Sequence, residues 1–395
     1  MTEVKLYRDP NLQIIFGVTL MAVLGVSSIT PAFPKMAEEW GISNQAIGLL
    51  ITAFTFPGVV LAPFIGILAD RVGRRRILVP SLFLFGIAGG ACALTCDFNT
   101  ILVLRVFQGM GGAGVGALNT TIIGDLFSGQ RRAEAMGLNA SVLNIGVASY
   151  PAMGGALALL GCNYPFLLPL AAIPLGLIVL IYLRNPEPRN EQSLRNYLEG
   201  TWQYLRSLKV AGLFGAGVLT FIILYGTYLT YLPLLLGKSF YASTLIVGVI
   251  LSSMSLTTAL VSSQLGRLTR RFSETSLIKA AFPIYGLALV MIPLMPSLES
   301  FFLPAVIFGI AHGINLPSIQ TQVAGLAPLE HRAAFMSVNA MMLRLGQTLG
   351  PPLMGLVYVY TSLETTFFVT ALLALTVPPV AVVMSRGLAL YGSTR

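Results

Sequence analysis

Three ionisable side chains stand inside long apolar stretches of this sequence. Arg105 and Arg344 are cations with mostly hydrophobic neighbours, and His312 lies in a similar stretch. A charge within a membrane span is costly and usually faces a cavity or a partner. Histidine titrates near neutral pH and suits a proton relay, but a buried neutral histidine with one hydrogen bond fits the pattern equally well. Arg105, nearer the outer end of its stretch, is expected to extend partly toward the interface.

Carboxylates are distributed differently from these cations. Asp and Glu residues, such as Asp70, Asp97 and Asp125, occur at the ends of the apolar stretches and not near their middles. Proton-coupled carriers commonly use an intramembrane carboxylate whose pKa burial raises. The coupling ion therefore stays open, with His312 or tyrosines as the titratable candidates in the middle of the membrane.

Two patterns that resemble enzyme motifs have simpler explanations. The spacing of Gly109, Gly111 and Gly114 matches a dinucleotide-binding fingerprint, but these residues lie in an apolar helix with no preceding strand. Residues 237–239 resemble the end of a phosphate-binding loop without its first glycine. The two histidines and three cysteines form no metal or nucleophile arrangement. We therefore expect no enzymatic activity, no cofactor and no metal.

The elements that must position these side chains are membrane-spanning helices. The mean hydropathy is +0.80, and 55% of the residues are hydrophobic while 10% are charged. Because about 20 apolar residues cross a bilayer, the sequence predicts an all-α integral membrane protein with twelve transmembrane helices. We number the predicted spans 1 to 12: 12–34, 46–69, 77–96, 100–124, 133–158, 164–183, 211–236, 243–266, 277–296, 300–325, 333–358 and 364–386.

The basic charge is placed asymmetrically. Of the 24 Lys and Arg residues, all but Lys35, Lys238, Arg105 and Arg344 fall in alternate loops and the tails. The positive-inside rule then puts both termini in the cytoplasm of a multi-pass plasma (inner) membrane protein. The net charge of +9 is thus explained by orientation in the lipid bilayer, and no nucleic-acid partner is expected.

The sequence contains an internal repeat. Nine residues in 132–155 recur 200 positions later, including Asn139 as Asn339 and Pro151 as Pro351. We predict two pseudo-symmetric six-helix halves, 1–183 and 211–395, joined by a cytoplasmic linker at 184–210 that contains an interfacial helix. Parallel repeats of this kind are typical of secondary transporters that bind a small-molecule substrate between their halves.

Further polar residues in the apolar helices are candidates for the substrate cavity. Such groups need partners on other helices or a wet cavity. Arg344 near the middle of span 11 is interpreted either as a functional cation or as a structural tie to backbone carbonyls. The cavity candidates are Gln108, Asn119, Asn144, Tyr225, Tyr228, Asn315, Arg344 and Gln347.

A cationic turn, residues 66–76, joins spans 2 and 3 and contains Gly66, Asp70, Arg71, Gly73 and Arg74. Asp70 lies at the C-terminal end of its helix, where the helix dipole disfavours an acid, so it needs a partner.

Asp125, at the end of span 4, has the same unfavourable position. We predict that it pairs with Arg71 or Arg74.

The 66–76 turn resembles, nearly residue for residue, the loop signature of the major facilitator superfamily. Within that superfamily the chain is similar to the twelve-span drug–proton antiporter branch. Arg105, Gln108 and Gly109 in span 4 are similar to its proton-translocation signature, which implies Arg105 in proton coupling. The resemblance also implies that Asp70 faces Arg332 and holds an inner gate shut.

One motif departs from the antiporter pattern. Its span 5 signature is expected to contain Gly-Pro, but this sequence has Tyr150 before Pro151. The intact Gly-Pro occurs in span 11. Small residues with proline let helices approach closely and bend, so we assign helix-packing or hinge roles to these positions. They are Gly146, Pro151, Gly155, Gly346, Gly350 and Pro351.

The resemblance implies a secondary transporter working by alternating access, with proton-coupled efflux of hydrophobic or amphipathic small molecules (a multidrug or metabolite exporter). One alternative is an organic-anion exchanger or facilitator that uses Arg344, and a remote one is a non-transporting membrane sensor or scaffold. A monomer is the default of the family. Substrate identity, the direction of transport and the pairing of Cys96 with Cys162 stay open.

Overall fold

The computed structural model describes residues 6–184, 208–326 and 332–376, and all regular structure in these ranges is helical. In spans 1 to 6, short 3-10 helices continue or precede some of the main helices. The α-helices of this half are Pro10–Ser27 and Phe33–Glu39 in span 1, Asn44–Ile47 and Leu49–Val72 in span 2, Arg74–Ala91 in span 3, Phe98–Leu126 in span 4, Gly129–Leu160 in span 5 and Ala172–Tyr182 in span 6.

The second half has the same sequence of helices, with one irregular segment in span 7. There the π-helix Ile222–Tyr228 separates two α-helices. The α-helices of this half are Leu208–Phe221 and Leu229–Ser239 in span 7, Thr244–Ser263 and Leu265–Leu268 in span 8, Glu274–Met291 in span 9, Phe302–Leu326 in span 10, Arg332–Tyr360 in span 11 and Leu363–Thr376 in span 12.

Spans 1 to 10 give ten helices that are long and apolar enough to cross a membrane within the described ranges. Span 11 adds a helix of 29 residues, and span 12 is a shorter apolar helix as far as it is described. Predicted spans 1 to 11 each coincide with a helix whose ends differ by several residues at most, and the helix of span 12 begins as predicted and is described up to Thr376. The prediction of an all-α membrane protein is confirmed.

Several helices begin at residues that satisfy their free N–H groups. Asp9 precedes Pro10 and accepts hydrogen bonds from the backbone N–H groups of Asn11 and Leu12. Asp97 caps span 4 by accepting from the hydroxyl and the backbone N–H of Thr100, at 2.6 and 2.8 Å. Both hydrogen bonds stabilise the ionised carboxylate and so lower the pKa of Asp97. The hydroxyl of Thr100 makes the larger contribution. The acids at these two helix starts are therefore explained by capping.

The chain divides into two compact units. The first comprises Met1–Glu191 with Ser243–Ser252, and the second comprises Gln192–Ala242 with Ser253–Arg395. The predicted interfacial helix of the 184–210 linker lies almost entirely outside the described residues, so that prediction and the predicted boundaries stay predictions.

The repeat is visible in the helices themselves. Arg74–Ala91 and Glu274–Met291 begin and end 200 residues apart. A Cβ atom on Gly109 of span 4 would overlap the carbonyl oxygen of Phe54 in span 2. At the same offset, a Cβ on Gly309 of span 10 would overlap the carbonyl oxygen of Met254 in span 8. Equivalent helix pairs thus approach through equivalent glycines in the two units.

Three glycines on span 4 create a surface on which neighbouring helices pack closely. Beside Gly109, Gly111 lies against the backbone of Phe85 and Ser81 in span 3, and Gly114 lies against the Ser81 side chain. These are the residues that imitate a dinucleotide fingerprint. Their role in the fold is to let spans 2 and 3 approach span 4.

We expect Gly109→Ala and Gly309→Ala each to lower the thermal stability of the purified protein. The added methyl group meets backbone atoms that cannot rotate away, and overpacking of this kind costs about 1–3 kcal/mol. The measurement is the unfolding temperature in detergent. Gly137→Ala is the matched control, because nothing lies within 4 Å of its Cβ position. Equal unfolding temperatures for all three variants would contradict the glycine-mediated packing.

Candidate functional site

Spans 2 and 3 are joined through a single residue. Gly73 follows Val72, precedes Arg74 and adopts φ +107°. Glycine reaches positive φ without a steric penalty, whereas an L side chain there would be strained. The 66–76 turn is therefore as tight as its sequence predicts, and it places Asp70 and Arg74 on adjoining helix ends.

Arg74 links the ends of three helices. Its Nη2 lies 3.0 Å from Oδ1 of Asp70, and its Nε forms an ion pair with the carboxylate of Asp125 at the end of span 4. Arg74 is only 9% exposed, against 38% for Asp70 and 22% for Asp125. Partial burial strengthens such pairs, because the local dielectric falls. Arg71 and Arg74 were the two partners predicted for Asp125. The ion pair is formed by Arg74, whereas Arg71 is exposed.

A third arginine of this turn is also bonded. Arg75 donates to the backbone carbonyl of Leu183 at 3.4 Å and to that of Leu180, at the end of span 6. It thereby satisfies carbonyls that the helix leaves open. The predicted contact between Asp70 and Arg332 stays a prediction, because the Arg332 side chain lies outside the described residues. Gly66 has no atom within 4 Å of its Cβ position.

Arg105 is fully buried in the first unit. Its guanidinium donates to the backbone carbonyls of Leu50 at 3.0 Å and Gly25 at 2.8 Å, and to Oε1 of Gln108 at 2.7 Å. It also stacks over the ring of Phe54, 4.5 Å from the centroid. The expectation that Arg105 extends toward the interface is wrong, because these oxygens hold it inside. Spans 1, 2 and 4 are tied together by one side chain.

A second buried polar cluster joins spans 1, 4 and 5. Oγ1 of Thr19 lies 2.9 Å from Oδ1 of Asn119 and 2.5 Å from Oδ1 of Asn139. All three side chains are at most 5% exposed. The hydroxyl has one proton and donates to only one of these oxygens at a time, and the three neutral side chains together connect the helices. Asn119 thus has a partner in the helix bundle, and Thr19, which the sequence did not single out, supplies it.

The second unit contains a buried polar cluster that includes titratable side chains. Nδ1 of His312 in span 10 lies 2.7 Å from the hydroxyl of Tyr285 in span 9. One turn further along span 10, Nδ2 of Asn315 donates to Oγ1 of Thr220 in span 7 at 2.7 Å. All four side chains are buried. Tyr285 and Thr220 were missed at the sequence level, since a tyrosine or threonine in an apolar helix carries no motif.

The irregular part of span 7 lies beside this cluster. Tyr225 sits in the π-helix and stacks on Phe221, with ring centroids 5.6 Å apart. Tyr228 is fully buried and stacks on Phe308 at 4.3 Å.

Arg344 in span 11 is within electrostatic range of the Tyr225 phenol. Both of these side chains are partly exposed, as are Asn144 and Gln347.

The predicted packing glycines make close contacts. Gly346 and Gly350 of span 11 lie against the backbone of Val218 and Gly226 in span 7.

In the first unit, Gly146 lies against side chains of span 1, and the carbonyl of Gly155 accepts a hydrogen bond from Thr244 at 2.7 Å. Pro151 and Pro351 are buried within their helices. A hinge role for these residues stays a prediction.

The thiols and acids of the described residues form no group of three or more that could hold a metal ion. Cys92 and Cys162 are buried free thiols, and Cys96 is an exposed one. Nδ2 of Asn163 donates to Sγ of Cys96 at 3.3 Å, and Sγ of Cys162 donates to Oδ1 of the same side chain at 3.2 Å.

A model of the Major Facilitator Superfamily matches residues 15–304 and 235–387. The chain belongs to the major facilitator superfamily. It is a multi-pass membrane transporter and not an enzyme.

Three curated relatives are bacterial proteins. Multidrug resistance protein 1 of Bacillus subtilis (strain 168) is 22% identical over 374 residues, which cover 93% of this chain and 95% of the relative. Quinolone resistance protein NorA of Staphylococcus aureus (strain MRSA252) is 25% identical over 54% of each chain. The bacillibactin exporter of Bacillus subtilis (strain 168) is 32% identical over 32% of this chain and 33% of the relative.

Solved structures share the fold. A bacterial homologue of the human lysosomal transporter Spinster, in an inward-facing and occupied conformation, has a TM-score of 0.79 at 19% identity, covering 97% of this chain and 98% of that one. The human organic anion transporter MFSD10 has a TM-score of 0.70 at 20% identity, covering 94% and 99%. At these identities the similarity shows a shared fold and nothing about the substrate of this chain.

We expect Arg74→Gln to destabilise this superfamily transporter by about 1.5–3 kcal/mol, the range for hydrogen bonds to charged groups. The substitution leaves the carboxylates of Asp70 and Asp125 near each other without their shared cation. The readout is the unfolding temperature in detergent. Arg76→Gln is the control, because Arg76 is exposed and its Nη1 reaches only the Val72 carbonyl, at 3.4 Å. A loss as large in Arg76→Gln would show that the effect is general charge removal.

Proposed function

We propose that this chain is a secondary active transporter that exports hydrophobic or amphipathic small molecules in exchange for protons. The observation that carries the proposal is the similarity to Multidrug resistance protein 1, which extends over 93% of the chain. The match to NorA and the antiporter-like residues of spans 2 to 4 support the same direction of transport. Energy would come from an ion gradient, and alternating access would move the substrate.

Rigid helix groups within each unit support an alternating-access mechanism. In the first unit, Arg105 bonds to spans 1 and 2, and the Thr19 cluster joins spans 1, 4 and 5. In the second, Gly350 brings span 11 against span 7. Ties of this kind let a group of helices move as one body, so that a conformational change occurs between groups and not within them.

His312 and Tyr285 are the proposed proton site. The two side chains share one hydrogen bond of 2.7 Å. A neutral imidazole can accept the tyrosine proton at Nδ1, whereas a protonated imidazole must donate there, so the phenol then has to turn and act as acceptor. Proton binding would thus reverse the direction of a buried hydrogen bond. Arg105 would act indirectly, by fixing the spans around it.

Asp70 is proposed to act in an inner gate together with the rest of the 66–76 turn. In the described conformation it contacts Arg74 and is 38% exposed, so part of the carboxylate is available to another partner. Arg332 is that partner in the proposal. The gate would exist in one half only, because the position 200 residues after Asp70 is Arg270.

The plasma (inner) membrane location, the cytoplasmic termini and a monomeric state are part of the same proposal. The cationic residues of the 66–76 turn would face the cytoplasm. Cys96, which follows span 3, would then face the outside. This orientation can be tested with the native thiols.

A membrane-impermeant maleimide added to intact cells is expected to label Cys96 alone. Cys96 is exposed, and Cys92 and Cys162 are buried. Burial, with a smaller contribution from Glu39, raises the pKa of Cys162 to about 12. Its reactive thiolate is therefore scarce at neutral pH. Mass spectrometry of the purified protein gives the number and position of adducts. Labelling of Cys96 in inside-out vesicles but not in cells would reverse the orientation, and Cys96→Ser is the control.

Efflux is tested in proteoliposomes with an imposed pH gradient and a panel of lipophilic cations, neutral drugs and amphipathic organic anions. We expect the substrate to accumulate in the direction opposite to proton flow. In His312→Ala this accumulation should fall to the level of protein-free vesicles. Tyr285→Phe, which keeps the ring and removes the hydroxyl, is expected to alter the pH dependence of transport. Gradient-driven transport that survives in His312→Ala would exclude His312 as the required relay. Transport that ignores the pH gradient in the wild-type protein would sink the antiport proposal.

The same vesicles test the gate. Asp70→Asn, which keeps an oxygen that Arg74 can bond to, is expected to slow transport while lowering the unfolding temperature less than Arg74→Gln does. Glu134→Gln, which neutralises an exposed acid in span 5, is the matched control and should transport normally. Unimpaired flux in Asp70→Asn would remove Asp70 from the gate.

A further inference from the structure

The two arginines within the spans have different environments. Arg105 is fully buried, and three oxygen atoms and an aromatic ring surround its guanidinium. Arg344 is partly exposed. Among the residues that the structure describes, none accepts a hydrogen bond from its guanidinium, and no acid lies within ion-pair distance. The guanidinium has five N–H donors to offer. The structural tie to backbone carbonyls therefore belongs to Arg105 and not to Arg344.

In the residues that the structure describes, spans 7, 10 and 11 carry no acid that could serve as a counterion for Arg344. Span 11 packs against spans 7 and 10. Residues 210–239, 302–326 and 332–360 contain no Asp or Glu. The titratable groups that these helices do contribute, besides Arg344 itself, are Lys238, Arg332, His312 and several tyrosines. Among them, Tyr225 interacts electrostatically with the guanidinium. An intramembrane cation with no protein anion beside it indicates a ligand that carries the negative charge.

An aromatic surface adjoins this cation. Tyr225 stacks on Phe221, and Phe221 in turn meets the edge of His312, with centroids 6.3 Å apart. Phe221 and His312 are at most 8% exposed, whereas Tyr225 is partly exposed, so Tyr225 presents the accessible ring. It belongs to the π-helix Ile222–Tyr228. Such irregular turns are frequent at functional sites, because they re-aim side chains that a regular helix would place elsewhere.

The backbone near Arg344 is already satisfied and closely packed. Its carbonyl accepts a hydrogen bond from Thr348 Oγ1 at 2.9 Å. Two residues along, Gly346 brings span 11 against the Val218 carbonyl of span 7, which holds this part of span 11 beside Phe221. The main chain is thus held in place while the guanidinium keeps its hydrogen-bonding capacity. A preorganised cation of this kind binds an anion without first breaking an internal ion pair.

We propose that Arg344 and Tyr225 form a subsite for the negatively charged group of an aromatic or otherwise amphipathic substrate. Arg344 binds a carboxylate, or an anion of similar geometry, through parallel N–H donors. Tyr225, backed by Phe221, contacts the ring or apolar body of the substrate. This inference rests on the proposed transport function and names its substrate class: an organic anion with a hydrophobic portion.

The test is equilibrium binding to the purified protein, which does not depend on proton-driven transport. The probes are 1-naphthoate, its neutral isostere 1-naphthamide, and octanoate, which has the carboxylate without a ring. The variants are Arg344→Gln, Arg344→Lys and Tyr225→Leu. Lys279→Gln, which removes a cation at the N-terminal end of the helix Glu274–Met291, is the matched control. The unfolding temperature of each variant shows that it is folded.

We expect 1-naphthoate to bind about tenfold more tightly than 1-naphthamide, the ratio that one charge-assisted pair supplies. Arg344→Gln should abolish this preference, Arg344→Lys should keep part of it, and Lys279→Gln should leave it unchanged. Tyr225→Leu should weaken 1-naphthoate more than octanoate.

The subsite is overturned if the wild-type protein does not bind 1-naphthoate more tightly than 1-naphthamide. It is also overturned if Arg344→Gln keeps the same preference as the wild type. If binding follows the expected pattern while pH-driven flux is missing, the transport mechanism fails and the subsite stands.

Discussion

A guanidinium in hydrocarbon must be given oxygen atoms, and Arg105 takes them from the backbone. Water is unavailable in the middle of a bilayer, so the carbonyls of Leu50 and Gly25 serve as acceptors in its place. For the carbonyls of two other helices to lie within reach of one side chain, the helices must approach closely. Gly109, one turn away on the same helix, permits this by packing directly on the backbone of Phe54. The charge and the glycine face of span 4 are thus parts of one arrangement.

Close helix contact also explains how polar groups are handled elsewhere. The Thr19 hydroxyl lies within hydrogen-bond distance of two asparagines on neighbouring spans, and Thr220 accepts a hydrogen bond from Asn315. Threonine is small enough to sit in a tight helix contact and still offer a hydroxyl. Where span 7 departs from the regular helix, at Ile222–Tyr228, the hydroxyl of Thr230 donates to the carbonyl of Tyr225 at 2.6 Å. The irregular segment of span 7 is therefore accompanied by a side chain that bonds to its backbone.

The sequence predicted the spans and the tight turn at Gly73 because these depend on local composition and on one residue type. It also limited the possible partners of Asp125 to two arginines, because helix ends and charged residues can be identified from the sequence. It could not tell Arg105 from Arg344, because the difference lies in the oxygens of other helices that surround each side chain. The roles of Tyr285, Thr19 and Thr220 were hidden for the same reason. The π-helix was likewise unpredictable, since no residue in 222–228 marks the change of hydrogen bonding.

The constant offset of 200 residues between equivalent helices lets each position in one unit be compared with its counterpart in the other. Arg105 corresponds to Ala305, and His312 corresponds to Gly112. The fold requires neither side chain, because span 10 forms without the arginine and span 4 forms without the histidine. The two units therefore differ in their chemistry: the first has a buried arginine that connects three helices, and the second has a buried imidazole bonded to a phenol.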